Sequence, residues 1–332
     1  MTDSQSLKVP TFADVARAAQ TIRSVVHKTP VLQSRDINQR VGAQVFFKVE
    51  AFQRTGAFKI RGAYNALANL NADQRRRGVV TYSSGNHAQA VGLASQLVGV
   101  QATVIMPEDA PPLKRMATEG YGAKIVTYKR DTEDREAIAR EIAAQTGATI
   151  IPPYDHPMVM AGQGTTALEM IEKVGHLDAL ITPLGGGGLL SGCAIAAKTL
   201  SPDCKVYGVE PEAGNDVQQS FKAGYRIHIA PPRSIADGAL TTSVGELPFA
   251  VIQSHVSDIF TVTDEQLIET MRWFAHRLKV VIEPTGALAT AALLNGLVPL
   301  KPGSRVGVVV SGGNVDLTSY GPWIAQPSEG II

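Results

Sequence analysis

The sequence predicts an α/β protein built from mainly parallel sheets covered by helices, and three observations carry that reading. Short apolar runs of strand length alternate with runs of helical spacing along most of the chain. The connections are short, except for a section from Ala213 to Ser257 that carries Pro231-Pro232 and several glycines. Clusters of glycine and small polar residues fall directly after strand-like runs, where open α/β sheets bind their ligands.

In order, Thr11 with Asp14 reads as a helix start, and Val15, Ala19, Ile22 and Val26 fall on one face of a helix that Thr29-Pro30 closes. A strand over Gln44 to Glu50 leads to a helix over Arg61 to Leu70. Strands are expected at 79–82, 102–106, 124–128 and 149–151, with helices at 86–98, 112–119 and 132–145 between them. A longer helix from about Met158 to Val174 follows, then a strand at 180–184, a helix at 189–200 and a strand at 205–210. After the loop-rich section come a strand at 259–262, helices at 264–278 and 286–294, and a late strand at 305–310. The compact units between 72 and 155 suggest a sheet of their own. Residues 72–155 are therefore expected to form a small mobile domain, and residues 1–71 plus 156–332 a large one.

Composition sets bounds. A chain of 332 residues, 44% hydrophobic, supports a large core, and length alone suggests about two domains. A formal net charge of +1 gives no general attraction to nucleic acid or anionic membrane. Cys193 and Cys204 lack metal-site spacing and make no disulfide framework. The polar stretch Met1 to Pro10 has no apolar signal region, and no run reaches membrane-spanning length, so a cytoplasmic protein is expected.

Lys59 draws attention because Thr55, Gly56 and Ala57 precede it and Phe58 adjoins it. Small residues admit close approach, and an aromatic packs beside a flat ring. The two readings are a solvated helix-start lysine and a Schiff-base lysine. Ser83-Ser84-Gly85-Asn86-His87, between strand and helix, suits an oxygen ligand or a simple N-cap turn. Gly185 to Gly188 expose backbone N–H groups at a helix start and read as a phosphate cradle. A dinucleotide fingerprint is the rival, with Glu210 as its ribose-reading acid. However, Leu190 and Ser191 occupy the positions where that fingerprint needs its last glycine. Ser311-Gly312-Gly313-Asn314 offers a hydroxyl to a ring atom, or is a turn. Glu210 and Asp216, with a carbonyl at Gly214, are either a hard-cation site or solvated loop acids.

A lysine, a phosphate cradle, an oxygen-reading loop and a ring-nitrogen partner are the parts of a pyridoxal phosphate site. Together, Thr55-Gly-Ala-Phe-Lys-Ile-Arg-Gly-Ala, Ser83-Ser-Gly-Asn-His-Ala-Gln, Ala161-Gly-Gln-Gly-Thr, Gly185 to Gly188, Ile282-Glu-Pro-Thr and Ser311-Gly-Gly-Asn-Val-Asp span nearly the whole chain. In family order they resemble the fold-type-II pyridoxal-phosphate (PLP) enzymes, which are tryptophan synthase β-like, in the serine/threonine dehydratase and serine racemase branch. His87 sets this branch apart from the cysteine-synthase-like one.

The resemblance implies a role for each residue. Lys59 carries the cofactor and acts as base at Cα, with Ser84 on the opposite face as second acid/base. Phe58 packs near the ring, Asn86 meets the phenolic oxygen, Gly185 to Gly188 with Leu189 hold the phosphate, and Ser311 faces the pyridine nitrogen. Ser83 and His87 meet the substrate carboxylate. Arg135 matches an arginine that faces the site in serine racemases and the related 3-hydroxyaspartate dehydratases. It can pair with a second substrate carboxylate, or is a solvated arginine beside Glu133 and Asp134. Tyr154 stands where racemase-like relatives often carry Asn, and Asp237 and Thr241 border the pocket. Glu210, Gly214 and Asp216 match a divalent-cation site for Mg2+, Mn2+ or Ca2+. Gln89, Tyr121 and Lys279 match nucleotide-binding positions at a dimer interface. The implied activity is dehydration and deamination of a β-hydroxy amino acid, 3-hydroxyaspartate before serine and threonine, by a homodimer. Amino-acid racemisation is the second reading, and a nicotinamide-dependent oxidoreductase the third. The end at Ile332 leaves no room for the regulatory domain of biosynthetic threonine dehydratases.

Overall fold

The computed structural model describes residues 8–110 and 112–325; most of the Met1 to Pro10 stretch and the chain end at Ile332 lie outside them. Two sheets organise the described residues. The first contains strands β1 (Val31–Leu32), β2 (Gln44–Val49), β7 (Ala179–Pro183), β8 (Lys205–Pro211), β9 (Asp258–Val262) and β10 (Arg305–Val310), in the order β1-β2-β10-β7-β8-β9. The second contains β3 (Val79–Tyr82), β4 (Ala102–Pro107), β5 (Lys124–Tyr128) and β6 (Thr149–Ile150), in the order β5-β4-β3-β6. Every pairing is parallel except β1 with β2. The mainly parallel α/β architecture expected from the sequence is what the chain adopts.

Helices α1 (Phe12–Ile22), α2 (Arg35–Val41) and α3 (Lys59–Ala68) precede the second sheet, which α4 (Ala72–Arg77), α5 (Asn86–Val98), α6 (Pro112–Gly120) and α7 (Arg135–Thr146) accompany. Helices α8 (Pro157–Val174), α9 (Gly188–Leu200), α10 (Asp216–Ala223), α11 (Glu246–His255), α12 (Asp264–Trp273), α13 (Pro284–Leu294) and α14 (Leu317–Ala325) return to the first. Separate apolar cores cover the two faces of the first sheet, one around Phe47, Val308 and Leu288, the other around Leu180, Leu190 and Val206.

The section 213–257, read as loop, contains α10 and α11. Both helices are short, and the Pro231-Pro232 pair between them dominated the sequence signal. The first helix stops at Ile22, short of Val26, which packs instead against the core of the second sheet. The 264–278 helix changes at Phe274 into a π-helical turn that ends at Lys279, a non-glycine residue at φ 58°.

Two close helix crossings explain the Ala161-Gly-Gln-Gly-Thr stretch. A Cβ on Gly162 would lie 2.5 Å from the Arg61 carbonyl oxygen, and one on Gly164 would lie 2.6 Å from that of Gly192. Glycine at these positions lets α8 pass directly against α3 and α9.

Candidate active site

The residues singled out for cofactor and substrate, scattered from 58 to 311, line one cavity of about 450 Å3 between the two sheets. Phe58, Lys59, Ser83, Ser84, Asn86, His87, Arg135, Tyr154, Gly185 to Gly188, Leu189, Asp237, Thr241 and Ser311 are all on its wall. Parallel strands deliver them because each site loop follows a strand C-terminus: β3 precedes Ser83, β7 precedes Gly185 and β10 precedes Ser311.

Lys59 is the first residue of α3, two residues earlier than the sequence suggested. The approach to it is fixed. Ala57 bridges to Gly312, and the Phe58 N–H donates to the Ser311 carbonyl at 3.0 Å. Thr55 at φ 61° and Gly56 at φ 68° turn the chain in, with Asn314 filling the space a Cβ on Gly56 would need. The Lys59 ammonium lies 5.1 Å from the Phe58 ring centre and donates to the Pro153 carbonyl at 2.9 Å. Burial pushes its pKa down to about 8, against the opposing pull of Glu283.

The glycine run is packed so that side chains are excluded. A Cβ on Gly186 would lie 2.2 Å from Tyr154, and one on Gly185 would lie 3.1 Å from the Gly238 carbonyl oxygen. Gly187 sits at φ 92° and caps the start of α9, whose first N–H groups have no intrahelical partner. The rival dinucleotide reading loses its acid here: Glu210 accepts from the N–H groups of Val217 and Gln218, at 3.2 and 2.8 Å.

Ser311 Oγ is buried and has no hydrogen-bond partner. A buried hydroxyl aimed into a cavity without a partner is what a ring-nitrogen acceptor or donor would satisfy. The glycine cradle, the low-pKa lysine and this hydroxyl fit pyridoxal phosphate.

The remaining walls carry charge. Asn86 Nδ2 donates to both Glu283 carboxylate oxygens, at 2.8 and 3.0 Å, and its Oδ1 accepts from Asn314 Nδ2 at 2.9 Å. Burial and the neighbouring Asp237 push the Glu283 carboxyl up to about 7. His87 is fully buried. Its Nε2 lies 3.1 Å from the Ile151 carbonyl, which makes Nε2 the protonated nitrogen, and Nδ1 has no partner. Burial and Lys59 push its pKa down to about 3, so the ring is neutral. Any donation from His87 to a carboxylate comes from its backbone N–H in the first turn of α5, not from the ring.

Arg135 begins α7, and its guanidinium lies 5.5 Å from the Tyr82 ring centre. Of the other cations on the wall, Arg130 pairs with Asp109 and Lys114 with Asp237. Arg135 alone among the arginines and lysines lining the cavity, Lys59 apart, has no carboxylate within ion-pair reach among the described residues. Burial pushes the Tyr154 hydroxyl up to about 12, keeping it neutral and able to donate.

Glu210, Gly214 and Asp216 stand outside the cavity wall. Thr241 connects them to it, donating from Oγ1 to Asp216 Oδ1 at 3.4 Å. Asp216 Oδ2 is buried without a partner, and burial pushes its pKa up to about 7. Burial and Asp216 raise that of Glu210 well above the usual range. Two neighbouring buried carboxyls whose charged forms burial disfavours fit a hard cation. No cluster of three or more His, Cys, Asp or Glu side chains exists among the described residues. Gln89 is buried, Tyr121 half-buried, and Lys279 donates to the His276 carbonyl at 2.6 Å.

Lys114, Glu283 and Thr285 also line the cavity without a role assigned from the sequence. The Ile282-Glu-Pro-Thr motif pointed at two of them. Nothing local marked Lys114.

The sheet order and the strand-end site define a PLP-type α/β enzyme, and comparison with known proteins agrees. The model of the pyridoxal-phosphate dependent enzyme family matches residues 22–312, and the chain belongs to that family. It is 56% identical over 322 residues to L-threo-3-hydroxyaspartate ammonia-lyase of Saccharomyces cerevisiae, covering 97% of this chain and 98% of that one. It is 53% identical to serine racemase of Schizosaccharomyces pombe, covering 97% and 100%. Among solved structures, serine racemase from Dictyostelium discoideum superposes with a TM-score of 0.88 at 42% identity, covering 93% of this chain and 100% of that one. Maize serine racemase superposes with a TM-score of 0.91 at 38% identity, covering 95% and 96%. This family membership sets the nicotinamide reading aside.

Proposed function

We propose that this chain is a PLP-dependent ammonia-lyase. It eliminates water from a β-hydroxy amino acid, a 3-hydroxyaspartate first, with serine and threonine as lesser substrates; the released enamine then takes up water and gives a 2-oxo acid and ammonia. Similarity to two curated hydroxyaspartate ammonia-lyases, at 56% and 53% identity, supports the reaction class. The observation that carries the substrate is Arg135, a guanidinium on the cavity wall with no carboxylate partner among the described residues. Such a group awaits an anion, and a 3-hydroxyaspartate brings a second carboxylate that serine lacks.

When bound, pyridoxal phosphate supplies an electron-accepting ring that weakens the Cα–H bond of the amino acid. Lys59 Nζ holds the cofactor and then takes the Cα proton, a task suited to an amine with a pKa near 8. The backbone N–H groups of Gly185 to Gly188, with Leu189 beside them, hold the phosphate. Phe58 packs beside the ring, Asn86 faces the phenolic oxygen, and Ser311 Oγ faces the ring nitrogen. A neutral hydroxyl there, in place of a carboxylate, would leave the ring a weaker electron acceptor, which suits elimination of the β-hydroxyl. Ser83, Tyr154 and the first turn of α5 at His87 orient the α-carboxylate, and Asp237 and Thr241 close the pocket. Glu210, Asp216 and the Gly214 carbonyl hold a divalent cation, magnesium, manganese or calcium.

In Arg135→Met, kcat/KM for 3-hydroxyaspartate is expected to fall on the order of 10- to 100-fold, the range of a lost charged hydrogen bond. For serine it should change little. An equal loss on both substrates contradicts the assignment. Racemisation is the second reading, favoured by Ser84 on the cavity wall and by the similarity to serine racemases. D/L exchange outpacing 2-oxo-acid release in the native enzyme would make it the main activity. Loss of exchange in Ser84→Ala with elimination spared makes it a side activity.

The same reading includes a homodimer in the cytoplasm and a unit 72–155 that moves against residues 1–71 plus 156–332. A nucleotide effector at Gln89, Tyr121 and Lys279 is tested by nucleotide titration of Lys279→Ala against the native enzyme.

A further inference from the structure

Lys114 belongs to α6, beside the four-stranded sheet, yet its side chain is withdrawn from solvent at 9% exposure and reaches the cavity. Its stem lies flat against the turn before α5. A Cβ on Gly85 would sit 3.4 Å from Lys114 Nζ and 3.5 Å from its Cδ. Its ammonium pairs with Asp237, which opens the helical turn Asp237–Ala239 beside the six-stranded sheet. That turn is itself anchored. The Gly238 N–H donates to Thr285 Oγ1 at 3.0 Å, and the Ala239 Cα would lie 3.1 Å from a Cβ on Gly185. One side chain therefore joins the Ser84-Gly85-Asn86 turn of one sheet to the segment covering the glycine cradle of the other.

We propose that Lys114 is a positioning residue. Its ion pair with Asp237 clasps the Ser84-Gly85-Asn86 turn to the Asp237–Ala239 turn and sets the gap across which substrate is held. The proposal rests on the cavity being the substrate site, but not on which amino acid enters it. Asp237 is the partner that lets go. Its side chain is 46% exposed, whereas that of Lys114 is 11% exposed and fixed by packing on Gly85. The alternative role for Lys114, a receptor for a substrate anion, makes the opposite prediction: freeing its ammonium from Asp237 would then improve binding.

The test compares Lys114→Met, Asp237→Asn, the double variant and Lys114→Arg as holoenzymes. Hydrogen exchange of peptides covering 83–88 and 237–241 is followed alongside kcat and KM. The clasp predicts faster exchange in both peptides for either single variant. It also predicts KM raised about tenfold with kcat little changed, the scale of coupling between contacting residues. The double variant should be no worse than either single one, and Lys114→Arg should restore most of the effect. A lower KM in Asp237→Asn, unchanged exchange at 83–88, or multiplicative losses in the double variant would overturn it. If Lys114→Met fails to fold, Asp237→Asn, at a half-exposed position, decides the question alone. Faster exchange in a holoenzyme that turns over no hydroxy amino acid supports the clasp while refuting the proposed reaction.

Discussion

Lys59 is an ordinary lysine in composition and an unusual one in setting. It is the first residue of its helix, its entry is held by Ser311 and Gly312, and burial lowers its pKa to about 8. A lowered lysine pKa means that the free amine gains population as pH rises through that value. The rate at which apoenzyme recovers bound cofactor, read from visible absorbance, should therefore rise as pH rises through about 8 and level off above it. Lys59→Ala should show no borohydride-fixed cofactor at any pH. At the cradle, Gly186→Ala puts a methyl into the Tyr154 ring, so cofactor affinity should fall by about tenfold or more; overpacking of this kind typically costs about 1–3 kcal/mol. Fluorescence titration of the apo variant checks it. At this scale the sequence was informative wherever chemistry clusters locally, as at 55–62, 83–87 and 185–188. It was silent on Lys114, whose importance comes from Gly85 and Asp237, neither near it in the chain. It left open which group of His87 faces a carboxylate, because burial and an Ile151 carbonyl partner for the ring are properties of the fold.

Among the elements, α3 is the one that the rest hold in place. Two residues after Lys59, the Arg61 guanidinium is fully buried between Glu50, at 2.8 and 2.9 Å, and Glu169, at 2.7 and 2.9 Å. Lys48 completes the group, donating to Glu169 at 2.6 Å and to the Thr29 carbonyl at 2.9 Å. These bonds tie α3 to the turn that follows β2 on one side and to α8 on the other. Removing one partner strands a buried charge, so Arg61→Ala should lower unfolding free energy by about 3–5 kcal/mol and weaken cofactor retention by tilting α3. Denaturant unfolding of the apoenzyme measures the first effect separately from the second. The alternation of strands and helices was legible because buried parallel strands are nearly continuous apolar runs. The helices α10 and α11 were not, since each is short and the proline pair between them reads as loop. The capping residue Asp134 and the true start of α7 at Arg135 put that guanidinium at a helix end facing the cavity, a detail that charge pattern alone left open.

At the scale of the whole molecule, two mainly parallel sheets face one cavity, and strand C-termini from both supply its walls. The buried carboxyls of Glu210 and Asp216, the proposed cation ligands, lie behind the wall, linked to it through the Thr241 hydroxyl. Burial raises the Asp216 pKa to about 7, so the folded carboxyl is protonated below that pH, and protons compete with a cation there. The increase in Tm on adding magnesium should accordingly be larger at about pH 8 than at about pH 6, and Asp216→Asn should abolish the difference. The division of the chain into two sheets was legible from the compact units between 72 and 155. The pairing of Lys114 with Asp237 across the gap was not, because no local pattern encodes a contact between sheets.

The most direct test is a substrate panel. The holoenzyme is offered each stereoisomer of 3-hydroxyaspartate, together with serine and threonine, and ammonia and 2-oxo acid are measured with chiral analysis of the remaining amino acid. Release of both products, with the highest kcat/KM on one 3-hydroxyaspartate isomer, is the predicted result. A higher kcat/KM on serine, or D/L exchange without 2-oxo acid, would contradict it.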